Sequence, residues 1–233
     1  MNITSTVFAA ITDWSQPMLT FYDDATGERT ELSGATLGNW AAKTANFLVD
    51  ELGVGDGDDV LVDLPEHWQT AAILLGAWWA GASVRLGDAD EEAAVAIVAP
   101  DRLDAHTVPD EVVVASLDPF ALGVRDLPPG VVDFASAVRV HGDQFRPAPV
   151  SGPALGDLSA QEVVSQAREA AGAAGITAAS RVLTTREWHT GAGLVTDLLA
   201  PLVVGASLVA VAHADTDRLA SRTASERVTI TLG

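Results

Sequence analysis

Cysteine is absent from the 233-residue sequence, and lysine occurs once, at position 43. Without cysteine the chain can form no disulfide, no thiolate zinc site and no cysteine nucleophile. Thirteen lysines and arginines stand against 32 aspartates and glutamates, which gives a formal net charge of −19. No basic stripe is left to neutralise phosphates, so nucleic acids and anionic membranes are excluded as partners. The acidity either serves solubility or forms a face that binds a partner.

A basic N-terminal segment and a long uninterrupted hydrophobic run are also missing. Residues 1–14 contain no positive charge, so no secretory signal is expected. The most apolar stretch, residues 194–212, is interrupted by Asp197, Pro201 and Gly205, whereas a spanning helix needs about 20 apolar residues. This stretch divides naturally into a helix and a strand. These features predict a cytoplasmic protein without a membrane partner.

The most informative segment that is present covers residues 59–84, DVLVDLPEHWQTAAILLGAWWAGASV. It starts with a β-branched and apolar run, which is typical of a strand covered on both faces. Pro65 and Glu66 suit the first turn of a helix, since proline lacks an N–H and glutamate complements the helix dipole. Residues 71–80 carry no charge, so this helix should be buried on all sides. Gly81 is placed for the left-handed residue that ends a helix.

Strands and helices alternate along the rest of the chain. Residues 18–32 predict a β-hairpin around the turn at 23–27, and Ser159 with Glu162 predicts a capping box at a helix start. Residues 131–140 suggest a further helix. This alternation predicts an α/β fold of three layers, with mostly parallel sheets and a small N-terminal hairpin.

Residues 144–158 differ in composition, because proline and glycine are frequent there and core residues are few. We expect a linker or an exposed loop at this position. The chain then divides into a first α/β lobe, residues 1–143, and a second lobe, residues 159–233. The two lobes could also pack as one compact domain.

The glycine-rich and acidic segments lack the spacing of ligand-binding loops. The G-x-G-x-G run at 53–57 precedes a strand, whereas a dinucleotide site needs its glycines between strand and helix, so we predict a tight turn. The acidic run 88–92 lacks the ligand spacing of a calcium loop. Residues 101–106 and 213–217 each hold a histidine near aspartates, and both are interpreted as polar loops. We therefore expect no metal site.

Candidate catalytic groups are few. No G-x-S-x-G motif is present, so the nucleophile of an α/β-hydrolase is missing. The five histidines are scattered, and His67 is interpreted as a residue at a helix start. Glu187, Trp188 and His189 follow a predicted strand and precede a predicted helix, which places them at the carboxyl edge of a sheet, where ligands bind. We take these three residues as ligand-pocket candidates, with a structural role of His189 as the alternative.

Two stretches together resemble the adenylate-forming enzymes, which include acyl-CoA synthetases, peptide-synthetase adenylation domains and luciferase. Residues 31–84 are similar to the opening of these enzymes, where a helix leads through G-V-x-x-G-D-x-V to a strand, an apolar helix and an A-G-A turn. Residues 184–211 resemble a later stretch with a pocket histidine, a glycine, a P-L pair and a G-A pair. The resemblance covers roughly 15–115 and 159–232. It places His189 at the pocket histidine, close to the acyl and pantetheine path.

More specifically, the chain resembles a family of short actinobacterial proteins similar to AMP-binding enzymes. The resemblance implies the N-terminal domain of the adenylate-forming fold. The phosphate loop of these enzymes, a Thr/Ser/Gly-rich run ending in Pro-Lys-Gly, should fall between the two similar stretches. That place holds SGPALGD, which has no lysine and no run of hydroxyls. The degenerate positions of this loop are Ser151, Gly152, Gly156 and Asp157.

Adenylation depends on positive charge around a polyphosphate, and Asp157 supplies the opposite sign. The adenine-binding segment, the ribose-binding aspartate and the catalytic lysine of the superfamily would lie beyond Gly233. We therefore expect a truncated, non-catalytic homologue, a pseudoenzyme without an ATP or CoA cofactor, that acts as a binding or interaction module. Apolar surface left by truncation predicts a homodimer or another protein partner. The alternative is an acyl-, CoA- or nucleotide-binding protein or a ligase-like enzyme with a residual pocket near His189.

Overall fold

The computed structural model describes residues 1–87, 92–147 and 150–232. Its α-helices are α1 (Ile3–Ala9), α2 (Gly34–Asn46), α3 (Trp68–Ala80), α4 (Phe134–Val138), α5 (Ala160–Ala173), α6 (Gly191–Gly193), α7 (Ala200–Val203) and α8 (Thr216–Ser225). π-Helical turns continue α2 (Phe47–Glu51) and connect α6 to α7 (Leu194–Leu199), and a 3₁₀ helix covers Pro100–Ala105. The strands are β1 (Pro17–Asp23), β2 (Glu28–Ser33), β3 (Asp59–Asp63), β4 (Ser83–Leu86), β5 (Val95–Val98), β6 (Glu111–Val114), β7 (Val131–Asp133), β8 (Pro153–Leu155), β9 (Leu158–Ser159), β10 (Arg181–Thr184), β11 (Ser207–Ala212) and β12 (Ile230–Leu232).

These strands form two sheets. The five-stranded sheet has the order β12-β10-β11-β1-β2 and is parallel except for the β1–β2 hairpin. The seven-stranded sheet has the order β7-β6-β5-β3-β4-β8-β9, and its only antiparallel pair within the described residues is β8–β9. The predicted α/β fold with mostly parallel sheets and an N-terminal hairpin is confirmed.

Helix α3 lies between the two sheets and contacts β1 of one and β4 of the other. Every residue from Trp68 to Trp78 is buried, as the absence of charge predicted. Gly81 ends the helix with a φ of 97°, which is the left-handed conformation expected there. The main hydrophobic core therefore joins both sheets, and it contains residues of both predicted lobes.

Helices α2 and α3 pack closely where α3 has a glycine, Gly76, at the contact. A Cβ atom at Gly76 would lie 2.4 Å from Cβ of Thr44 and 2.9 Å from the carbonyl oxygen of Ala41. No other side chain fits between the two helices at this point.

The start of α3 differs from the prediction. Pro65 and Glu66 were expected in its first turn, but the helix begins at Trp68. His67 is the N-cap, because its Nδ1 accepts a hydrogen bond from the backbone N–H of Gln69 at 3.1 Å. Pro65 and Glu66 therefore form an exposed to half-exposed bend between β3 and α3.

The predicted helix at 131–140 is also wrong in its first part. Val131–Asp133 forms β7, which extends the seven-stranded sheet by pairing with β6. Only Phe134–Val138 is helical, because the carboxylate of Asp133 accepts a hydrogen bond from the backbone N–H of Ser136 at 2.8 Å and caps α4. β-Branched residues favour the strand once a neighbouring strand is available.

Residues 144–158, predicted as a linker or exposed loop, contain a strand. β8 pairs with β4 through Val84 and Leu155, and β9 follows in a tight hairpin. The capping box predicted at the start of α5 is confirmed, since Ser159 Oγ and the Glu162 carboxylate bond each other's backbone N–H groups. The sheets also cross the predicted boundary, because β1 and β2 join β10–β12. The division into two lobes remains a prediction.

The apolar stretch at 194–212 divides into helix and strand as predicted, with α7 followed by β11. Within the described ranges, no helix is long and apolar enough to cross a membrane. Most of the acidic run at 88–92 lies outside the described residues.

Candidate functional site

A cleft of about 660 Å³ lies where the carboxyl ends of strands from both sheets meet. Asp23 ends β1, Asp63 ends β3 and Ala212 ends β11, while Ala99 and Ser116 follow β5 and β6; all five line the cleft. Parallel strands bring their carboxyl ends to one edge, which is where open α/β sheets bind ligands. The volume is within the range of small-molecule sites.

Two of the three predicted pocket residues line this cleft. Glu187 and His189 lie between β10 and α6, and Glu187 Oε2 is 3.0 Å from His189 Nδ1. Both side chains are about two-thirds exposed. The side chain between them, Trp188, is buried in the core and does not line the cleft.

The last residue of α6, Gly193, lies close to the backbone of this segment. A Cβ at Gly193 would lie 2.8 Å from the carbonyl oxygen of Glu187. Thr190 caps the helix, since its Oγ1 accepts a hydrogen bond from the backbone N–H of Gly193 at 3.0 Å. The turn that carries Glu187 and His189 is therefore fixed by backbone contacts with α6.

Histidine–carboxylate pairs recur around the cleft. His213 Nδ1 lies 2.9 Å from Asp23 Oδ1, and His213 has a φ of 49°, which is uncommon for a residue other than glycine. Behind the cleft wall, His106 Nε2 lies 2.8 Å from Asp63 Oδ2, and Arg102 Nε donates to the same oxygen at 2.9 Å. The aspartates of these pairs come from strand ends far away in the sequence.

Of the two histidine stretches, 101–106 lines the cleft with Asp101 and Arg102, and 213–217 lines it with His213. Within the part of the chain that the structure describes, no three histidine, aspartate or glutamate residues are grouped so that they could hold a metal ion.

The cleft is strongly acidic. Its carboxylates are Asp23, Glu28, Asp63, Glu66, Asp101 and Glu187. Arg102 is the only arginine among the described residues that line it. The hydrogen bond to Asp23 raises the pKa of His213, and the charges of Glu66 and Glu187 add to this effect. Burial alone would raise the pKa of Asp23, but hydrogen bonds from His213 and the Ala25 backbone N–H lower it.

The degenerate phosphate-loop residues are divided by a strand. Ser151 and Gly152 precede β8, whereas Gly156 and Asp157 form the turn between β8 and β9. The carboxylate of Asp56 accepts hydrogen bonds from the backbone N–H of Ser151 at 3.1 Å and from its hydroxyl at 2.7 Å. These hydrogen bonds lower the pKa of Asp56, and the bond from the Ser151 hydroxyl has the larger effect. The N–H and hydroxyl donors of Ser151 are thus bonded to a carboxylate of the chain itself.

Most residues of the cleft wall were not predicted from the sequence. Asp23, Asp63 and His213 each stand at the carboxyl end of a strand, as Glu187 and His189 do, and this shared position is the signal that could have identified them. Glu66 was interpreted as a helix-start residue, although it lies in the cleft wall. Which strand ends lie beside one another depends on the order of the strands in both sheets, and local sequence patterns do not contain that order.

No family model matches the chain. Among solved structures, an acyl-CoA synthetase from Brucella canis superposes with a TM-score of 0.78 at 19% identity, covering 99% of this chain and 47% of the other. A benzoate CoA ligase from Burkholderia xenovorans LB400 gives 0.75 at 17% identity, covering 100% and 50%. The N-terminal domain of FACL13 from Mycobacterium tuberculosis gives 0.74 at 18% identity, covering 99% and 62%.

The fold is therefore that of the N-terminal part of adenylate-forming enzymes, and the chain spans about half the length of the first two of these proteins. A Mycobacterium tuberculosis protein described as a TIGR03089 family protein is 49% identical over 220 residues, which are 91% of this chain and 90% of that protein. The chain belongs to the TIGR03089 family.

Proposed function

We propose that this chain is a ligand-binding protein that has the fold of the N-terminal part of adenylate-forming enzymes and does not adenylate. The observation that carries this proposal lies at the position expected for the phosphate loop. There the backbone N–H and the hydroxyl of Ser151 both donate hydrogen bonds to the Asp56 carboxylate. An adenylating site needs free N–H donors and positive charge for a polyphosphate. Here the donors of Ser151 are bonded to a carboxylate of the chain.

The charge of the cleft supports the same proposal. A nucleotide or CoA would bring several negative charges beside six carboxylates and a single arginine. Like charges at short distance repel each other and weaken binding unless they are compensated. The cleft is nevertheless of small-molecule size, and apolar residues such as Phe21 and Leu64 form part of its wall. A binding role without nucleotide chemistry fits both features.

Thermal denaturation in the presence of ATP, AMP, CoA and an acyl-CoA tests this proposal. We expect no increase in Tm with any of them, because a ligand that binds only the folded state would raise it. His189→Ala is the matched variant, since His189 lines the cleft and is mostly exposed. Stabilisation of the wild type that disappears in His189→Ala would favour the alternative, a residual acyl, CoA or nucleotide pocket. Measurable ATP–pyrophosphate exchange would overturn the proposal.

We also propose a homodimer, in which a second copy covers an apolar surface near the seven-stranded sheet. Phe120, Leu122 and Val140 are 81%, 57% and 82% exposed. Arg139 donates hydrogen bonds to the carbonyl oxygens of Phe120 and Ala121, which holds residues 120–122 against the end of α4. Exposed apolar groups held in one place are typical of an interaction surface.

Light scattering during size exclusion should then give the mass of a dimer for the wild type. Phe120→Ser with Leu122→Ser should shift it to the monomer mass, since both side chains project into solvent and are not needed for the core. A wild type that is monomeric at micromolar concentration would refute the homodimer.

A further inference from the structure

We propose that residues 139–146 form a detachable strap, and that its closure over α2 sets the apolar surface of Phe120, Leu122 and Val140. This inference rests on the homodimer of the proposed function and names the device that controls its surface. Three observations carry it. The strap is held by side chains of α2, its charged donor is the only lysine of the chain, and its first residue fastens the apolar surface.

Backbone pairing contributes little to the strap. The segment follows α4 and has no helix or strand of its own. Within the described residues, the backbone of 141–146 is bonded to other backbone groups once, from the His141 N–H to the Val138 carbonyl oxygen at 3.2 Å. A segment held in this way can open locally at a free energy well below that of global unfolding.

Two side chains of α2 hold the strap instead. Lys43 Nζ donates hydrogen bonds to the carbonyl oxygens of Arg139 at 3.4 Å and His141 at 2.5 Å. Asn46 Nδ2 donates to two carbonyl oxygens further along the strap, at 2.8 and 3.0 Å. Residues three apart on a helix share one face, so both side chains reach the same segment. Four carbonyl oxygens of the strap thus depend on two replaceable side chains.

Lys43 is the stronger of the two donors because it is charged. Hydrogen bonds from an ionised donor are stronger than those between neutral groups. Lys43 is partly buried on α2, and both hydrogen bonds of its ammonium are made to the strap. Replacing this one side chain should therefore favour the open form.

Contacts below the strap favour the closed form. Phe145 is half-buried, and its ring lies against that of Trp79 on α3, with centroids 5.9 Å apart. His141 Nε2 lies 3.1 Å from Glu51 Oε2, in the π-helical turn that continues α2. Opening would return the aromatic surface to water, which costs free energy. The strap is thus closed at rest and can still detach without the loss of a strand.

Arg139 connects the strap to the apolar surface. Its guanidinium donates hydrogen bonds to the carbonyl oxygens of Phe120 at 3.3 Å and Ala121 at 2.6 Å. Its own carbonyl oxygen accepts the hydrogen bond from Lys43. Val140, the next residue, is 82% exposed. An open strap would release the backbone beside Phe120 and displace Val140, so a second copy would no longer meet one fixed surface.

Limited proteolysis of the full chain measures the opening, because cleavage follows the population of the detached form. We expect trypsin to cleave the Arg139–Val140 bond about tenfold faster in Lys43→Met than in the wild type, since the charged donor is lost. Lys43→Arg keeps charge and donors and should stay close to the wild type. The Arg227–Val228 bond, at an exposed turn before β12 of the other sheet, should be cleaved equally in all three proteins.

Two further measurements extend the test. Asn46→Ala removes the other donor and should also speed cleavage of the Arg139–Val140 bond, which keeps the inference testable if Lys43→Met does not fold. Chymotrypsin should cleave after Phe120 faster in Lys43→Met, because the strap no longer fastens that backbone. Both digestions are run at a dilution at which light scattering shows the monomer. At higher concentration, Lys43→Met should form less dimer than the wild type.

The outcomes separate the strap from the homodimer. Equal cleavage of the Arg139–Val140 bond in the wild type, Lys43→Met and Asn46→Ala would overturn the strap. Faster cleavage there, without faster cleavage after Phe120, would overturn its control of the apolar surface. A wild type that is monomeric at every concentration would refute the homodimer of the proposed function, whereas the digestion rates depend on the strap alone.

Discussion

Replacing Gly76 by alanine should lower the free energy of unfolding by about 3 kcal/mol, because overpacking a close helix contact forces backbone shifts. The new Cβ would lie 2.4 Å from Cβ of Thr44 and 2.9 Å from the carbonyl oxygen of Ala41. Neither atom is the end of a flexible side chain, so α2 and α3 must separate. Urea denaturation followed by circular dichroism measures the change.

Gly172→Ala is the matched control. Gly172 is also in a helix, α5, but a Cβ there would meet no atom within 4 Å. Alanine should therefore raise the free energy of unfolding by up to about 1 kcal/mol, as it does at exposed helix positions. If Gly76→Ala unfolded at the same urea concentration as the wild type, the close packing of α2 on α3 would be wrong.

Glu226→Gln should lower the free energy of unfolding by about 2 kcal/mol, because the partly buried side chain of Arg181 loses its carboxylate partner. Glu226, at the end of α8, is 9% exposed. It accepts hydrogen bonds from the Tyr22 hydroxyl at 2.5 Å, from Arg29 at 3.0 Å and from Arg181. These contacts tie α8 to β1, β2 and β10 of the five-stranded sheet.

The same substitution should change the dependence of stability on pH. Burial alone would raise the pKa of Glu226, but the hydrogen bonds from Tyr22, Arg181 and Arg29 lower it to about 2. A lowered pKa means that this contribution is complete above the pKa of the unfolded chain, about 4.3, and is lost as the pH falls toward 2. Wild-type stability should therefore decrease steeply over this interval, and Glu226→Gln should decrease less.

Urea midpoints measured at several pH values between 2 and 7 test this expectation. Asp24, bonded by Arg222, also has a pKa of about 2, so part of the acid dependence will remain in the variant. Glu111→Gln serves as the control, because Glu111 is exposed at the start of β6. Equal acid dependence in the wild type and Glu226→Gln would contradict the role of this carboxylate.

Much of the fold could be predicted because its signals are local. The uncharged residues of α3, the glycine that ends it, and the capping box of Ser159 and Glu162 each depend on a few neighbouring residues. The errors arose where a distant neighbour decides. Val131–Asp133 becomes a strand only because β6 is there to pair with it. β8 likewise depends on β4, and its proline and glycine neighbours suggested a loop.

The candidate site was predictable only in part, since it is assembled from distant segments. Glu187 and His189 were found because they directly follow a strand. Trp188 was predicted to line the pocket with them, but its side chain is buried in the core. The sequence pattern does not show to which side this side chain points. Glu66 was assigned to the first turn of α3 because proline and glutamate are common there. The helix begins two residues later, at Trp68, because His67 is its N-cap. The cleft whose wall includes Glu66 exists only after both sheets have formed.

The arrangement of the five-stranded sheet has a consequence for how the chain folds. β1 pairs in parallel with β11, so Leu19 lies beside Leu208. During synthesis the β1–β2 hairpin emerges well before β11, which becomes available only after the intervening segments have been made. Such long-range pairing is slow and leaves strand edges exposed to incorrect association. The hairpin can reach its final place only late, and this interval on the ribosome is when the protein depends most on protection from aggregation.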